Sequence, residues 1–326
     1  MHCLDQFLES LVVEKGLTPN SVYSYKRDLL DFKQFLLQKE INVAEVQGGD
    51  IIDFIEFLTA RRSQSRTVNR KLSTLRGYYD FLLMNKVVNS DPLLNISAPK
   101  YAQVIPNIIS IEHMRALLMY SNNDRSYYGI RLNAMIHLLY ATGMRVSELV
   151  SIHTYTILDH QNKVKQSFII KGKGGKERVL VVHDEAAQSL QRYADIRSYF
   201  VKEIRNQTQN YEKKNEYFFC SKSNLGYMTR QNFAVALKHT AYAAGIDPND
   251  VSPHVLRHTF ATHMLSNGAD LRVIQELLGH SNIASTQIYT KVECNTLGSL
   301  VRKKHPLTKM SIIDLISSKR SSRNVR

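Results

Sequence analysis

Residues 252–290 read SPHVLRHTFATHMLSNGADLRVIQELLGHSNIASTQIYT, and no other stretch constrains the fold and the chemistry as tightly. Ser252-Pro253 is a helix-start signal: a hydroxyl N-cap, then a proline at the first helical position, where its missing N–H is not needed. The helix so predicted carries His254 and Arg257 at i and i+3, on one face. Taken alone the pair is weak evidence, because a chain this rich in histidine and arginine supplies one by chance. His254 and His258, four apart, also have metal-ligand spacing. No acid or cysteine lies between Ser252 and Ala269, however, which leaves His263 as the one nearby third ligand, so no metal site is expected. His280 follows Gly279 at a predicted helix end, and Ser281 or Asn282 can cap the next helix. Tyr289 stands about two and a half turns past His280, on the opposite face if the helix were unbroken. The Gly-His-Ser break is what would let both reach one site. For any single tyrosine among 17, packing is the commoner role.

Upstream, ATGMRVSELV (141–150) places Arg145 just after Gly143, following the apolar stretch Ala134–Tyr140. An arginine in such surroundings needs a partner. Glu148 at i+3 is one, and a phosphate is the other, since the guanidinium fork can grip two of its oxygens at once. Gln166–Ile170 and Arg178–Val182 flank KGKGGKE (171–177) and predict a β-hairpin with a glycine turn. Lys173 sits in that turn, where a long cationic side chain can approach a ligand. A Walker A loop is excluded, because no Gly-Lys-Ser/Thr is present, and ATP use is not indicated.

Around this region the chain reads as mainly helical, in two domains. Residues 1–90 predict four amphipathic helices. The first carries Leu4, Phe7, Leu8, Leu11 and Val12 and is ended by Gly16. A second begins at Thr18-Pro19, a third runs over Ile51–Leu58, and a fourth covers roughly 65–85, with Val68, Leu72, Leu75, Tyr79 and Leu82 on its inner face. Residues 91–109, with three prolines from Pro92 to Pro106, read as a linker. A second domain, 110–305, opens at a plausible N-cap, Ser110. Helical periodicity resumes at Ala186 and continues, with breaks, to about Leu300. Residues 306–326 form a basic tail. No internal repeat is apparent.

The chain has 326 residues, with 43 lysines and arginines against 29 acids, a net charge of +14. That balance points to a polyanionic partner, nucleic acid or an anionic membrane surface. The excess sits mostly beyond residue 100, yet Arg61–Arg76 hold six basic residues and no acid. Arg62, Arg66 and Arg70 recur every four residues and would stack on one face of a helix, either as a solvated face or as a DNA-binding one. No apolar run approaches the ~18 residues of a membrane span, and the N-terminus lacks a signal-peptide layout. Cys3, Cys220 and Cys294 suggest neither a disulfide framework nor a zinc site, so a cytoplasmic protein is expected.

Arg145 in ATGMRVSEL, Lys173 in GKGGKER, His254 and Arg257 in HVLRH, His280 in LLGHS and Tyr289 in STQIYT together resemble the tyrosine recombinase family, most closely the Xer-type site-specific recombinases of bacteria. The resemblance covers almost the whole chain. It implies a helical core-binding (SAM-like) DNA-binding domain over 1–90 and an α+β catalytic domain over 110–305. It implies duplex DNA cut and rejoined through a 3′-phosphotyrosyl intermediate, with no cofactor and no metal. Tyr289 is then the nucleophile, Arg145 and Arg257 the phosphate clamps, Lys173 the general acid, and His254 and His280 phosphate ligands, one of which relays the tyrosine proton. It further implies a XerC-like partner recombinase in a heterotetramer on DNA, activation by an FtsK-type DNA translocase, and resolution of chromosome dimers at cell division. On the same grounds Arg62, Arg66 and Arg70 are expected against DNA, and residues 295–305 against a neighbouring protomer. Val181 and Ala284-Ser285-Thr286 depart from the family's usual residues without touching a catalytic side chain. The rival readings are a phage or mobile-element integrase, a type IB topoisomerase, and a non-catalytic DNA-binding protein of the same fold.

Overall fold

Helix α1 spans Leu4–Val13, α2 Pro19–Gln38, α3 Gly48–Ala60 and α4 Ser65–Met84. Together with the residues that follow they form the first of two compact units, Met1–Val104 and Ile105–Arg326, in a computed structural model that describes residues 3–14, 16–99, 107–172, 175–205, 215–279, 301 and 303–309. The start signals act locally: Thr18 Oγ1 accepts from the Ser21 N–H, and the Gln47 N–H donates to the Asp50 carboxylate at 2.8 Å. Val68, Leu72, Leu75, Tyr79 and Leu82 line one face of α4 and are buried, as the 3.6-residue period requires. Phe7, Phe32, Phe35 and Phe54 fill the centre, Phe32 meeting Phe54 edge-on with ring centroids 4.9 Å apart.

The proline-rich stretch 91–109 leaves carbonyls that no regular element pairs, and helix side chains cap them. Arg76 donates to the Ile96 carbonyl at 2.8 Å and Asn69 to that of Pro99 at 3.0 Å, while Leu93 is buried in the first unit. Ile109 is buried in the second, its N–H on Thr259 Oγ1 at 3.1 Å.

The second unit holds α5 (Ile111–Asn123), α6 (Tyr127–Thr142), α7 (Val146–Val150), α8 (Thr154–Ile157), β1 (Ser167–Lys171), β2 (Glu177–Val181), α9 (Asp184–Arg205), α10 (Arg230–Ala243), α11 (Pro253–Ser266), α12 (Leu271–Leu278) and a 3-10 turn, Pro306–Lys309. Ser110 caps α5, accepting from the His113 N–H at 3.1 Å. Helix α6 is the axis of this unit: every residue from Asn133 to Thr142 is buried, with α5, α9 and α11 packed around it. This explains why the sequence there is a continuous apolar run and not a stripe. Strands β1 and β2 pair antiparallel, Ser167 opposite Val181 through Lys171 opposite Glu177. The break between α9 and α10 holds isolated bridges, His153 with Tyr217 and Cys220 with Tyr227, around the buried Phe218 and Phe219.

Near the C-terminus, Val301, His305 and Leu307 are buried in the core of their own unit. His305 Nε2 donates to the Tyr140 carbonyl at 3.2 Å, and Asn267 to that of Lys304 at 3.0 Å. Val301 and His305, which lie in the stretch expected against a neighbouring protomer, are engaged here with their own chain. Residues 295–300 and the tail from Met310 lie outside the described residues. Among the described residues no helix is long and apolar enough to cross a membrane.

Candidate active site

Helix α6 ends at Gly143, whose φ of +59° lies in the left-handed region. A β-carbon there would stand 2.3 Å from Cδ1 of Phe260, so both the conformation and the space demand glycine. The sharp turn aims the Gly143 carbonyl at Arg257 on α11, which donates to it from Nη1 at 2.6 Å. Two residues on, Arg145 caps α7. Its N–H donates to the Glu148 carboxylate at 2.7 Å, and its Nη1 to Glu148 Oε1 at 3.2 Å. The i+3 pairing legible in the sequence is therefore made.

The organising element is the C-terminal end of α12. A helix leaves its last carbonyls unpaired and carries a partial negative charge at that end. Gly279, at φ +66°, closes the helix. Three guanidinium groups from three different elements then take three consecutive carbonyls. Arg178 Nε of β2 donates to Leu277 at 2.9 Å, Arg257 Nη2 of α11 to Leu278 at 2.8 Å, and Arg145 Nη2 to Gly279 at 3.5 Å. Arg178 also grips Glu148 with both arms, Nη1 to Oε1 at 3.0 Å and Nη2 to Oε2 at 2.6 Å.

The charges in this cluster do not cancel. Three guanidinium groups face one carboxylate, a surplus of +2 (three minus one) among the four side chains. Burial pushes the Glu148 carboxyl up, but the hydrogen bonds and charge of Arg178, helped by Arg145, outweigh it and hold the group below its ordinary value, ionised. Burial, then the positive neighbours Arg145 and Arg178, push Arg257 down to about 10, with Glu148 working the other way. The Arg145 side chain is 35% exposed, so the surplus is open to solvent. His254 is exposed one turn before Arg257 on α11. Such an arrangement binds an anion with several oxygens, and it stabilises negative charge that grows on them.

The structure thus brings Arg145 and Arg257 together and sets His254 on the helix that carries Arg257. Lys173, His280 and Tyr289 lie outside the described residues. The residues just before Lys173 and His280 do lie at the cluster: the Gly279 carbonyl is held by Arg145, and a β-carbon on Gly172 would be 3.1 Å from Arg178 Nη1. His263, the third ligand weighed for a metal, is buried and hydrogen-bonded through Nδ1 to the Tyr140 hydroxyl at 2.9 Å. Among the described residues no group of three potential ligands could hold a metal ion. Sequence reasoning missed Arg178. Its one signal was a charged residue heading the apolar strand RVLVV, which reads as a strand edge until the partner on α7 is known.

The arginine stripe of the first unit needs correction. Arg62 is not on α4. It follows the last turn of α3 with φ +56°, and the Ser63 N–H closes back on the Leu58 carbonyl at 3.0 Å, so α4 starts afresh at Ser65. Arg66 and Arg70 do share a face of α4, but Arg70 is paired with buried Asp28. Asp28 also accepts from Lys71 and from Thr74, each at 3.1 Å, and Lys71 reaches on to Asp31.

Comparison with known proteins agrees with this geometry. Residues 108–295 match the phage integrase family, and residues 4–86 the phage integrase N-terminal SAM-like domain. Among curated proteins, the tyrosine recombinase XerD of Rickettsia bellii is 48% identical over 95% of this chain and 100% of its own length. XerD of Rhizobium meliloti is 37% identical over 94% of this chain and 96% of its own. Among solved structures, the XerH site-specific recombinase on its difH substrate, in the pre-cleavage complex, shares the fold with a TM-score of 0.62 at 18% identity, over 97% of this chain and 83% of that one. The post-cleavage XerH complex gives 0.65 at 19% identity, over 92% and 83%. The chain belongs to the phage integrase family, the tyrosine recombinases, and is a site-specific recombinase that breaks and rejoins DNA.

Proposed function

We propose that Tyr289 attacks a DNA phosphodiester held by the arginine cluster, forming a 3′-phosphotyrosyl bond and releasing a 5′-hydroxyl. The observation that carries this reading is the uncancelled charge at the α12 end, where Arg145 and Arg257 converge with a surplus of +2. Both guanidinium groups are already fixed by backbone carbonyls, so they stabilise the charge growing on the non-bridging oxygens with little reorganisation. Lys173 supplies the proton to the 5′-oxygen leaving group, and His254 and His280 hydrogen-bond the phosphate, one of them taking the tyrosine proton. The phosphotyrosyl bond conserves the energy of the broken ester. A 5′-hydroxyl from a second strand can therefore reseal it without ATP.

In the cell the enzyme acts in the cytoplasm beside a XerC-like recombinase, two copies of each on paired sites, under an FtsK-type translocase, and resolves chromosome dimers at division. Near-full-length similarity to proteins named XerD supports this assignment over a mobile-element integrase. The first unit grips the duplex with Arg66 of α4 against the phosphates, whereas Arg62 stands in the turn before α4 and Arg70 is already paired with Asp28.

The test is trapping on a nicked suicide duplex. It carries a site selected by this protein from random-sequence DNA and is incubated with the XerC-like protein of the same genome. Wild type should give a denaturant-resistant protein–DNA adduct, and Tyr289→Phe none while still binding. No adduct from wild type under these conditions, despite tight binding, makes the chain a DNA-binding protein of the same fold.

A further inference from the structure

Arg178 is the most enclosed charged group of the cluster, its side chain only 4% exposed. It therefore cannot touch a phosphate on the surface. Its donors are committed elsewhere, two to Glu148 and Nε to the Leu277 carbonyl. Two glycines let this side chain through. A β-carbon on Gly279 would lie 3.1 Å from Arg178 Cδ, and one on Gly172 would lie 3.1 Å from its Nη1. One guanidinium thus joins the hairpin base before Lys173, the helix end before His280, and the carboxylate that pairs with Arg145.

We propose that Arg178 is a positioning residue for DNA cleavage: by occupying both oxygens of Glu148 it keeps that carboxylate from capturing Arg145, and by holding Leu277 it fixes the α12 end against the hairpin. The competition is visible in the distances. Glu148 takes Arg178 at 2.6 and 3.0 Å but the Arg145 side chain only at 3.2 Å. Without Arg178 the buried, ionised carboxylate would turn its full charge on Arg145, which would then meet the phosphate with donors already spent.

This rests on the proposed roles of Tyr289 and Arg145, and the experiment separates the two. Single-turnover cleavage of the same selected suicide duplex is measured for wild type, Arg178→Met, Glu148→Gln and the double variant, with DNA affinity and thermal melting alongside. Arg145→Ala and Tyr289→Phe serve as controls. Arg178→Met should cleave about 10²-fold more slowly, with DNA affinity changed by less than about threefold. Adding Glu148→Gln should recover at least about tenfold of that loss, a coupling that a purely structural role would not give. Wild-type cleavage by Arg178→Met overturns the proposal, and so does a double variant no faster than Arg178→Met. If Arg178→Met fails to melt cooperatively, Arg178→Lys decides. It keeps the charge but cannot span both oxygens and Leu277 together. About tenfold slower cleavage, recovered by Glu148→Gln, supports the proposal, and wild-type cleavage overturns it. If wild type itself gives no adduct, or Arg145→Ala cleaves normally, it is the reading of the site that falls.

Discussion

Asp28 in the first unit and Glu148 in the second unit are both enclosed carboxylates gripped by two basic side chains, yet the charges around them balance differently. Around Asp28 the charges close: Arg70 and Lys71 meet Asp28 and Asp31, and Thr74 adds a hydroxyl. Around Glu148 they do not: Arg145, Arg178 and Arg257 face one carboxylate, and the remaining donors go to backbone carbonyls. A balanced buried cluster ties helices together and fixes their register. An unbalanced one is kept in place by helix-end carbonyls, which accept hydrogen bonds without cancelling the charge, and it stays complementary to an anion. The two clusters differ in balance, two cations on two carboxylates against three on one, and in the backbone carbonyls that hold the surplus in place.

The sharpest way to break this comparison is to remove a cation from each cluster. Arg145→Ala should lower the single-turnover cleavage rate on the order of 10²-fold or more, with little effect on thermal stability. Lys71→Met should do the reverse. It should cost about 3 kcal/mol in a urea titration, because Asp28 loses a partner in a buried site, and leave cleavage by the folded protein unchanged. Equal effects of both on cleavage would erase the distinction.

Acid should also separate the units. His137 and His183 are buried in the second unit and pushed down to about 3, by burial first and then by nearby positive groups, Arg192 and His305 for the one and His137 for the other. Burial, then His183, holds His305 well below its ordinary value too. The unfolded chain, titrating near 6.5, binds more protons than the folded one between about 3 and 6.5. The stability these neutral imidazoles allow is complete above pH 6.5 and falls as pH drops below it, by up to about 1.4 kcal/mol per pH unit for each. The first unit has only His2. Urea titrations followed by hydrogen exchange should show the second unit losing protection first on going from pH 7 to 5. Equal loss in both units contradicts the assignment.

Smaller effects follow within the first unit. Arg66→Ala should flatten the dependence of log DNA affinity on log salt by about 0.9, one phosphate contact, and Arg70→Ala by less, because Asp28 already neutralises Arg70. An unchanged slope for Arg66→Ala removes α4 from the interface. Tyr78 carries a buried hydroxyl with no hydrogen-bond partner among the described residues. Tyr78→Phe should therefore be neutral or stabilising by up to about 1 kcal/mol in the same titration.

Helix ends were the most legible part of this chain. Thr18-Pro19 and Ser252-Pro253 each start a helix where a hydroxyl and a proline predict one, Ser110 starts another on its hydroxyl alone, and Gly143 and Gly279 each end one in the left-handed conformation. The reason is that capping is decided by a few consecutive residues. The four-residue arginine spacing misled for the same reason: periodicity carries no information about a helix that stops at Arg61 and restarts at Ser65, and the residue standing in the left-handed turn is an arginine where glycine is commoner.

By itself, then, the sequence determined the helical framework, the hairpin with its glycine turn, the basic surplus and the residue types and order that mark a tyrosine recombinase. All of these are set by local spacing or composition. The tertiary structure alone decided that Arg178 is enclosed beside Glu148 and that Arg70 is tied to Asp28. It also decided that three guanidinium groups, up to 112 positions apart in the chain, end on consecutive carbonyls of one helix. Those pairings join residues with no local relation, and they are favoured because burial leaves Asp28, Glu148 and Arg178 little water to turn to.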